Sequence, residues 1–450
     1  MDLANLPGTG GPRGDWPSIR LVSPVGLATA ATLFLALSMG LVVPKVAGGA
    51  LLLLGLMSVV GVIRHNGWTC TNIHASEQLV IAGTIGYVCL IALSWLWHGL
   101  DPAAGQALGR HARLLLLVPI FLFLRRIDNL AAVWWFGLYA GTVAAGLYAW
   151  WFVITGQLGD FESRVGGSTN PIYFGGLALM MTFMCLPRII DRGLPRWERW
   201  LAAVGIVGGV SASLLSGSRG AWLAALPLLV LCAIFFRFSH KKAFLLGLGV
   251  MFFVLTIGLA LLPKVDMDQR MLAVVQEISD FVDGRITEGG VAERLGMWRI
   301  TVGALAENVW LGPGASAFEM AVQAAVFKGE ALPVLLRYRH PHNQFLSALL
   351  YAGIPGLVSL ILLFALPMRR FWLLHKGRLE NVDQIAWAGL VAVCMLAVMA
   401  MTESVFERNI GVVWFSLTVG VTLALITSER RRQLTKATQL AALESHPESH

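Results

Sequence analysis

The sequence carries little charge for its length. Of its 450 residues, 13% are Asp, Glu, Lys or Arg, 56% are hydrophobic, and the mean hydropathy is +0.70. Soluble domains usually carry about 25% charged residues. The composition therefore excludes a soluble globular enzyme and predicts an all-α polytopic membrane protein, because helices satisfy their own backbone hydrogen bonds in lipid.

Motifs for metals, disulfides and phosphate loops are also scarce. None of the five cysteines has the spacing of metal ligands, so they are interpreted as packing residues. Asp266 and Asp268 have the spacing of an acidic metal motif, but no further ligand is evident near them. No Gly-Lys-Ser/Thr loop or nucleic-acid-binding module is visible. We therefore expect no metal, no cofactor and no nucleic-acid partner.

Long apolar stretches dominate the chain. A helix needs about 17 to 25 apolar residues to cross the hydrocarbon core of a bilayer. By this measure we predict about twelve spans, of which the fourth has the shortest apolar core. Their centres are Phe34, Leu54, Val88, Ile120, Ala144, Leu179, Gly208, Leu228, Leu255, Leu357, Val393 and Leu417.

The distribution of Lys and Arg predicts the orientation, because positive charge is retained on the cytoplasmic side. With both termini inside, most of the 34 cations fall on that side, so the net charge of +8 is a topology signal and an attraction to anionic membrane lipids. The resulting division is residues 1–263 for a cytoplasmic tail and nine spans, 264–341 for one large outer loop with helices, 342–428 for three spans, and 429–450 for a cytoplasmic tail.

A charged turn interrupts the apolar run near residue 219. Ser216-Gly217-Ser218 separates two spans, and Arg219 follows at the outer side. Arginine at membrane depth costs about 2.5 to 3.5 kcal/mol, so it usually meets a partner or water. With Ser218 as N-cap, the free amides of the next helix and the guanidinium would suit a phosphate. The alternative is a simple cap with an arginine that snorkels to a headgroup.

A second candidate site lies at the outer start of the tenth span. Pro341 can occupy the first turn of a helix, which would place His342 and Asn343 toward the outer loop, near Arg337 and Arg339. His342 is the candidate base, and Asn343 could hold the imidazole or a sugar hydroxyl. The alternative for His342 is a polar interface residue. His340 is the weaker candidate, because it would point elsewhere in a helix.

The outer loop and the end of the eleventh span add further polar groups. Two helices are predicted in the loop, over 271–282 and 291–307, and the second carries Arg294 and Trp298 on one face. The alternative for this pair is a structural cap with an interfacial tryptophan. Glu403 and Glu407 follow the eleventh span, where they could orient an arginine or an acceptor. The alternative for Glu407 is a solvated loop or an ion pair with Arg408.

These motifs together resemble those of the bacterial O-antigen ligases, which share a superfamily with the O-antigen polymerases. The resemblance rests on Arg219-x-x-x-Leu223 and on His342-Asn343 followed after nine residues by Gly353-x-x-Gly356. Arg294-x-x-x-Trp298 and the Gly-Pro-Gly sequence after Leu311 also look like the loop of this superfamily. The likeness covers nearly the whole chain.

The resemblance implies a helical fold similar to other membrane glycosyltransferases (GT-C-like) and an active site on the periplasmic side of a bacterial inner membrane. It implies metal-independent, inverting transfer of a glycan from undecaprenyl pyrophosphate to lipid A-core, in lipopolysaccharide biosynthesis. His342 would be the catalytic base. The substrate-binding candidates are Arg219, Arg294, Arg339, Asn343, Arg337 and Arg164.

Two other functions stay open from the sequence. An O-antigen polymerase or a protein O-oligosaccharyltransferase would use the same donor and the same His and Arg residues with another acceptor. A transporter of lipid-linked glycans would also have many spans, but it would place charges inside the membrane along a path. The polar residues of this chain cluster at the outer end of the spans instead.

Overall fold

The computed structural model describes residues 19–64, 73–157, 164–235, 275–281, 283, 289–375 and 380–445. The first half of the described chain forms α1 (Pro24–Met39), α2 (Val46–Arg64), α3 (Ala75–Trp97), α4 (Pro102–His111), α5 (Leu117–Leu124), α6 (Leu130–Ile154), α7 (Pro171–Ile190), α8 (Arg196–Leu215) and α9 (Arg219–Phe235). The second half forms α10 (Gly290–Leu305), α11 (Ala317–Phe327), α12 (Gln344–Leu374), α13 (Asn381–Thr402) and α14 (Asn409–Ser445).

The helices agree with a multi-pass membrane protein. Within the described residues, nine helical units are long and apolar enough to cross a membrane, and α1 and α9 are apolar but shorter. Eleven of the predicted span centres lie inside these helices, while the centre near Leu255 lies outside the described residues. The total of twelve spans therefore stays a prediction.

The fourth span is built from pieces. A 3-10 helix at Ala112–Leu116 joins α4 to α5, and the unit from Pro102 to Leu124 is continuous. The apolar core predicted around Ile120 is short because only α5 and the three leucines that precede it are uniformly apolar, whereas the 3-10 turn also carries Arg113. The polar start of the unit, α4, carries Arg110 and His111 in its last turn.

Three helices form the centre of the bundle. In the most apolar window of each helix, 83% of α7, 72% of α13 and 89% of α14 is buried, against 39% of α2 and 33% of α3. Helices that are apolar on all sides belong inside a bundle, whereas α2 and α3 expose leucines suited to lipid. The link between α13 and α14 consequently joins two central helices.

Helix α12 is interrupted at a glycine. Ala352 and Gly353 leave the helical conformation, and Gly353 has a φ of +59°. A Cβ at Gly353 would lie 2.2 Å from the carbonyl oxygen of Trp310, so only glycine lets the loop before α11 approach this closely. The amide of Ile354 that is freed by the kink donates to the carbonyl of Val309 at 3.1 Å.

The Gly-Pro-Gly sequence of the loop completes the same contact. Gly312 has a φ of +78°, and a Cβ there would lie 2.5 Å from the carbonyl oxygen of Leu350. That carbonyl accepts a hydrogen bond from the amide of Gly314 at 2.9 Å. Two glycine motifs that are far apart in the sequence therefore pack against each other and fix the loop on α12.

The predicted loop helices are present in the described part of the loop. The helix predicted over 291–307 is α10, which ends two residues early. Of the helix predicted over 271–282, the described residues 275–281 are helical. The assignment of this loop to the periplasmic side stays a prediction.

Cysteine labelling tests that assignment. In a cysteine-free variant, Lys328→Cys, at the exposed end of α11, should react with a membrane-impermeant maleimide added to intact spheroplasts. The matched variant Arg192→Cys, in the exposed turn between α7 and α8, should react only after the membrane is permeabilised. Labelling of Arg192→Cys with protection of Lys328→Cys would show that the orientation is inverted.

Candidate active site

The polar centre of the molecule is the link between α13 and α14, residues 403–408, which we name the α13–α14 connector. It contains a 3-10 turn, Val405–Glu407. Glu403 is 1% exposed, Ser404 is fully buried and Glu407 is 7% exposed. Two carboxylates in so buried a segment require partners, because an unpaired buried charge is costly. The neighbouring helices and loops supply them.

Glu403 bridges the two residues that the sequence singled out separately. Its Oε2 lies 3.0 Å from Nδ1 of His342, and its Oε1 accepts a hydrogen bond from Nη2 of Arg294 at 2.9 Å. Burial raises the pKa of this carboxyl. The hydrogen bond and charge of His342 and the guanidinium of Arg294 together lower the pKa by more than burial raises it, so the net pKa lies below the ordinary value. Glu403 is therefore a carboxylate at neutral pH.

Helix α10 is held against this centre by one face. Arg294 also donates from Nε to the carbonyl of Thr402 at 3.2 Å and from Nη1 to that of Gly290 at 3.0 Å. Trp298, one turn further, donates from its indole to the carbonyl of Pro341 at 2.9 Å. The predicted shared face of Arg294 and Trp298 is thus the contact surface between the loop and the His342 segment. Three of the five N–H donors of Arg294 are used in these bonds.

His342 stands in an unusual backbone conformation. Its φ is +50°, in the left-handed region that residues other than glycine rarely adopt, and its side chain is 12% exposed. Strained residues of this kind occur at functional sites when the surroundings fix them. Here the preceding carbonyl is bound by Trp298 and the following residue caps α12.

The expected helix start at Pro341 is wrong by three residues. α12 begins at Gln344, and Asn343 is its N-cap, with Oδ1 accepting from the amides of Phe345 and Leu346 at 3.0 and 3.1 Å. An asparagine cap satisfies two amides, which the proline position could not. The Asn343 Nδ2 donates to the carbonyl of Met401 at 3.0 Å. Its side chain therefore ties α12 to the end of α13.

Ser404 reinforces this tie from the connector. Its hydroxyl accepts from the amide of Asn343 at 3.1 Å and lies 3.1 Å from the hydroxyl of Ser347. Ser347 in turn donates to the carbonyl of Asn343 at 3.0 Å. The connector thus holds the backbone beside His342 as well as its imidazole.

His340 does not point away from His342. The two ring centroids are 4.6 Å apart, because residues 338–343 are not helical and the expectation for a helix does not apply. Burial, followed by repulsion from His342, lowers the pKa of His340 to about 4. A group that is protonated only in acid is a weak base at neutral pH. Of the two adjacent imidazoles, His342 is the one that contacts a carboxylate.

The Arg219 turn approaches the same centre. Ser218 accepts from the amide of Ala221 at 3.4 Å and so caps α9 as expected. A Cβ at Gly220 would lie 3.1 Å from the hydroxyl oxygen of Thr402, which directly precedes Glu403. The backbone start of α9 at Arg219 therefore lies beside the connector, although the Arg219 side chain is outside the described part of the structure.

Arg164 holds the other side of that turn. It donates from Nε to the carbonyl of Ser216 and from Nη2 to that of Gly217, both at 2.9 Å. These carbonyls end α8, where a cation is favourable. Arg164 therefore holds the backbone of the turn that precedes Arg219.

Arg337 and Arg339 lie at the exposed rim. Arg337, with a side chain 60% exposed, forms an ion pair with Glu293 at 3.1 Å and donates to the hydroxyl of Tyr338 at 2.7 Å. Arg339 is exposed. The structure thus brings His342, Arg294 and the Arg219 turn together around the connector, and it places this second arginine pair outside that group.

Glu407 anchors the far side of the connector. Its carboxylate accepts from Arg110 at 2.5 Å and from the hydroxyl of Tyr351 at 2.6 Å, and it lies 3.3 Å from Nε2 of His111. The alternative for Glu407, a solvated residue or an ion pair with Arg408, is wrong. The side chain is 2% exposed, and its partners are these three residues. Burial raises the pKa of Glu407, but His111, Arg110 and Tyr351 lower it to about 2.

Glu407→Gln should destabilise the fold in a pH-dependent way. Removing one charge of a buried pair costs on the order of 3 kcal/mol. Because the pKa falls from 4.5 to about 2 on folding, the carboxylate stabilises the protein above pH 4.5 and loses this effect toward pH 2. The difference in Tm between the parent and Glu407→Gln should therefore be largest at pH 7 and should decrease as the pH falls below 4.5. A difference that grows in acid would contradict this assignment.

No group of three or more His, Cys, Asp or Glu side chains suited to a metal occurs among the residues that the structure describes. Asp266 and Asp268 lie outside them. The described charges at the connector are paired carboxylates, imidazole and guanidinium groups, which can move a proton and neutralise an anion. Such a site suits transfer of a group whose leaving group is a phosphate.

Comparison with known families fits this geometry. Residues 201–361 match the sequence profile of the family described as O-antigen ligase. This match over part of the chain supports membership of the O-antigen ligase family. The matched region includes Arg219, Arg294 and His342 together with the kink at Gly353, whereas Glu403 lies beyond it. The resemblance drawn from the sequence motifs is thereby confirmed.

A protein of Haemophilus influenzae described as uncharacterized is similar to this chain. The two are 23% identical over 308 residues, which is 66% of this chain and 71% of the other. The match to the O-antigen ligase profile, and not this relative, implies a lipid-linked glycan and a membrane setting.

Proposed function

We propose that this protein is an O-antigen ligase that transfers a glycan from undecaprenyl pyrophosphate to lipid A-core, on the periplasmic side of the inner membrane. The observation that carries the proposal is the bridge by Glu403 between His342 and Arg294. It joins a base and an anion-binding group at one point. A glycosyl transfer from a pyrophosphate needs both at once.

His342 takes the proton of the acceptor hydroxyl. With Nδ1–H donated to Glu403, Nε2 carries the lone pair and the carboxylate stabilises the imidazolium that forms. The acceptor oxygen attacks the anomeric carbon as its proton moves to Nε2, and the bond from that carbon to the pyrophosphate breaks. Attack from the face opposite the leaving group inverts the anomeric configuration.

Arginines bind the leaving pyrophosphate without a metal. Arg294 keeps two N–H groups beyond its three protein bonds, and Arg219 begins a helix whose free amides favour an anion. Both lie beside the end of α13. Arg164 and Asn343 support this arrangement through backbone contacts, and the exposed Arg337 and Arg339 would meet substrate at the rim.

Reconstitution tests the function directly. The purified protein in lipid nanodiscs would receive undecaprenyl-pyrophosphate-linked O-antigen together with lipid A-core, lipid-linked repeat units or an acceptor protein. We expect glycosylation of lipid A-core, seen as a shift on gels. Longer lipid-linked chains would identify a polymerase instead, and a modified protein would identify an oligosaccharyltransferase. Absence of transfer to every acceptor would refute the proposal.

Variants of Arg219 test the pyrophosphate role. Arg219→Ala should abolish transfer. Arg219→Lys should retain part of it, because the lysine ammonium keeps the positive charge but cannot make the two parallel hydrogen bonds of a guanidinium. The measurement is the initial rate at several donor concentrations, at equal protein abundance. A chelator should leave the parent rate unchanged. Full activity of Arg219→Ala would remove this residue from the site.

A further inference from the structure

A cavity of about 590 Å³ lies on the opposite side of α10 from the connector. It is bounded by α10, α11 and the 3-10 turn Pro333–Arg337. One face of α10, with Arg294 and Trp298, contacts the end of α13 and the His342 segment. The other face lines the cavity, with Glu293, Gly296, Arg299 and Gly303. A single helix therefore separates the cavity from the connector.

The lining of the cavity combines small apolar residues with charges of both signs. Glycines and alanines form much of the wall, while Arg299 and Lys328 supply donors and Glu307 and Glu330 supply acceptors. Charged groups would be left unpaired against an acyl chain. A polyhydroxyl ligand matches this mixture, because each hydroxyl can both donate and accept. The volume is within the usual range for ligand sites, about 300 to 1,000 Å³.

Glu293 connects the cavity wall to the base. Its carboxylate accepts from the hydroxyl of Tyr338 at 2.5 Å, and the Tyr338 ring packs edge-on against His342 with centroids 5.1 Å apart. One aromatic side chain thus separates the lining of the cavity from the imidazole. A sugar that extends from the cavity past Tyr338 would meet the imidazole of His342.

We propose that this cavity is an acceptor subsite that binds sugar residues of the acceptor oligosaccharide and presents its hydroxyl to His342. The proposal rests on the proposed function, since it assumes a glycan acceptor. It assigns selection of the acceptor to α10 and α11, whereas the donor pyrophosphate is bound at the connector. The two substrates therefore approach the reacting atoms from opposite faces of α10.

Filling the cavity tests the proposal. No heavy atom lies within 4 Å of a Cβ built at Gly303, so Gly303→Trp places an indole in open space at the cavity wall. The matched control is Val302→Trp, because Val302 is the next residue on the same helix, is 59% exposed and does not line the cavity. Arg299→Ala is a second variant, which removes an exposed donor without filling space.

Two measurements are made on the full-length protein in nanodiscs. Saturation-transfer NMR follows binding of core oligosaccharide freed from lipid A, with no donor present. Transfer kinetics give the KM for lipid A-core and, separately, for the lipid-linked donor. Gly303→Trp should weaken oligosaccharide binding and raise the acceptor KM by about tenfold or more, as loss of fit in a pocket does. The donor KM should not change, and Val302→Trp should behave like the parent.

Unchanged oligosaccharide binding by both Gly303→Trp and Arg299→Ala would refute the subsite. A rise in the donor KM alone would show that the cavity holds the donor glycan, which also refutes it. If the parent transfers nothing to any acceptor but its oligosaccharide binding is lost in Gly303→Trp, the ligase function fails and the sugar site stands.

Discussion

Replacing His342 is expected to lower the rate of glycan transfer by about 10² to 10⁴, the usual contribution of a general base. The acceptor hydroxyl must lose its proton as the new bond forms, and His342 is the imidazole beside the Glu403 carboxylate. Donor binding should persist, because Glu403 keeps its bond to Arg294 when the imidazole is removed. The measurement is the transfer rate at saturating donor, with donor affinity determined separately.

The choice of substitution matters because of the backbone. At a φ of +50°, alanine is strained, whereas asparagine tolerates the left-handed region. His342→Asn is therefore the primary variant and His342→Ala the second, and both should be inactive for the same chemical reason. If only His342→Ala were inactive, the loss would come from backbone strain and not from the missing base.

His340→Ala is the control on the neighbouring ring. With a pKa of about 4, His340 contributes little as a base at neutral pH, so this variant should keep most of the parent activity. Near-parent transfer by His342→Asn, or inactivity of His340→Ala alone, would show that the base has been assigned to the wrong residue.

Hydropathy predicted the helices well because each span is a local property of the sequence. Eleven predicted centres lie in helices, and even the weak fourth span is a continuous unit. Local rules also predicted the Ser218 cap and the common face of Arg294 and Trp298. At the start of α12, two local signals competed, and the asparagine cap decided the boundary instead of the proline.

The centre of the site depends on contacts that no local rule describes. Glu403 lies 61 positions from His342 and 109 positions from Arg294 in the sequence. The sequence suggested that Glu403 could orient an arginine, but its bond to the imidazole required the packing of α12 against α13. The burial of Glu407 was missed because Arg408 is its neighbour in sequence, whereas its partners are on α4 and α12.

The glycine motif shows the same limit. The spacing of Gly353 and Gly356 after His342 indicated the resemblance to O-antigen ligases, but it did not explain why glycine is needed at these positions. The structure supplies one, since Gly353 lets the loop carbonyl of Trp310 approach and Gly356 lies against the carbonyl of Ala348. The kink fixes the loop that carries α10 and α11, and so it sets where Arg294 meets the connector.

Glu403→Gln is expected to lower turnover per folded molecule by about 10² or more, by disturbing the base that Glu403 orients. The substituted amide has one oxygen and one NH₂, while Glu403 accepts from both His342 and Arg294. If the oxygen faces Arg294, the NH₂ faces Nδ1 and forces the proton of the imidazole onto Nε2, which removes the lone pair needed for catalysis. If the oxygen faces His342, the NH₂ meets the guanidinium and Arg294 is displaced.

A double-variant cycle measures whether Glu403 acts through His342. When two residues work as one unit, the double variant is no slower than the worse single variant. We therefore expect His342→Asn/Glu403→Gln to match His342→Asn in turnover. Glu407→Gln is the matched control, since it alters the other buried glutamate of the connector and should lower Tm more than turnover per folded molecule. If the two single effects multiplied in the double variant, Glu403 would act mainly through Arg294 and not through the imidazole, and orientation of the base would not be its role.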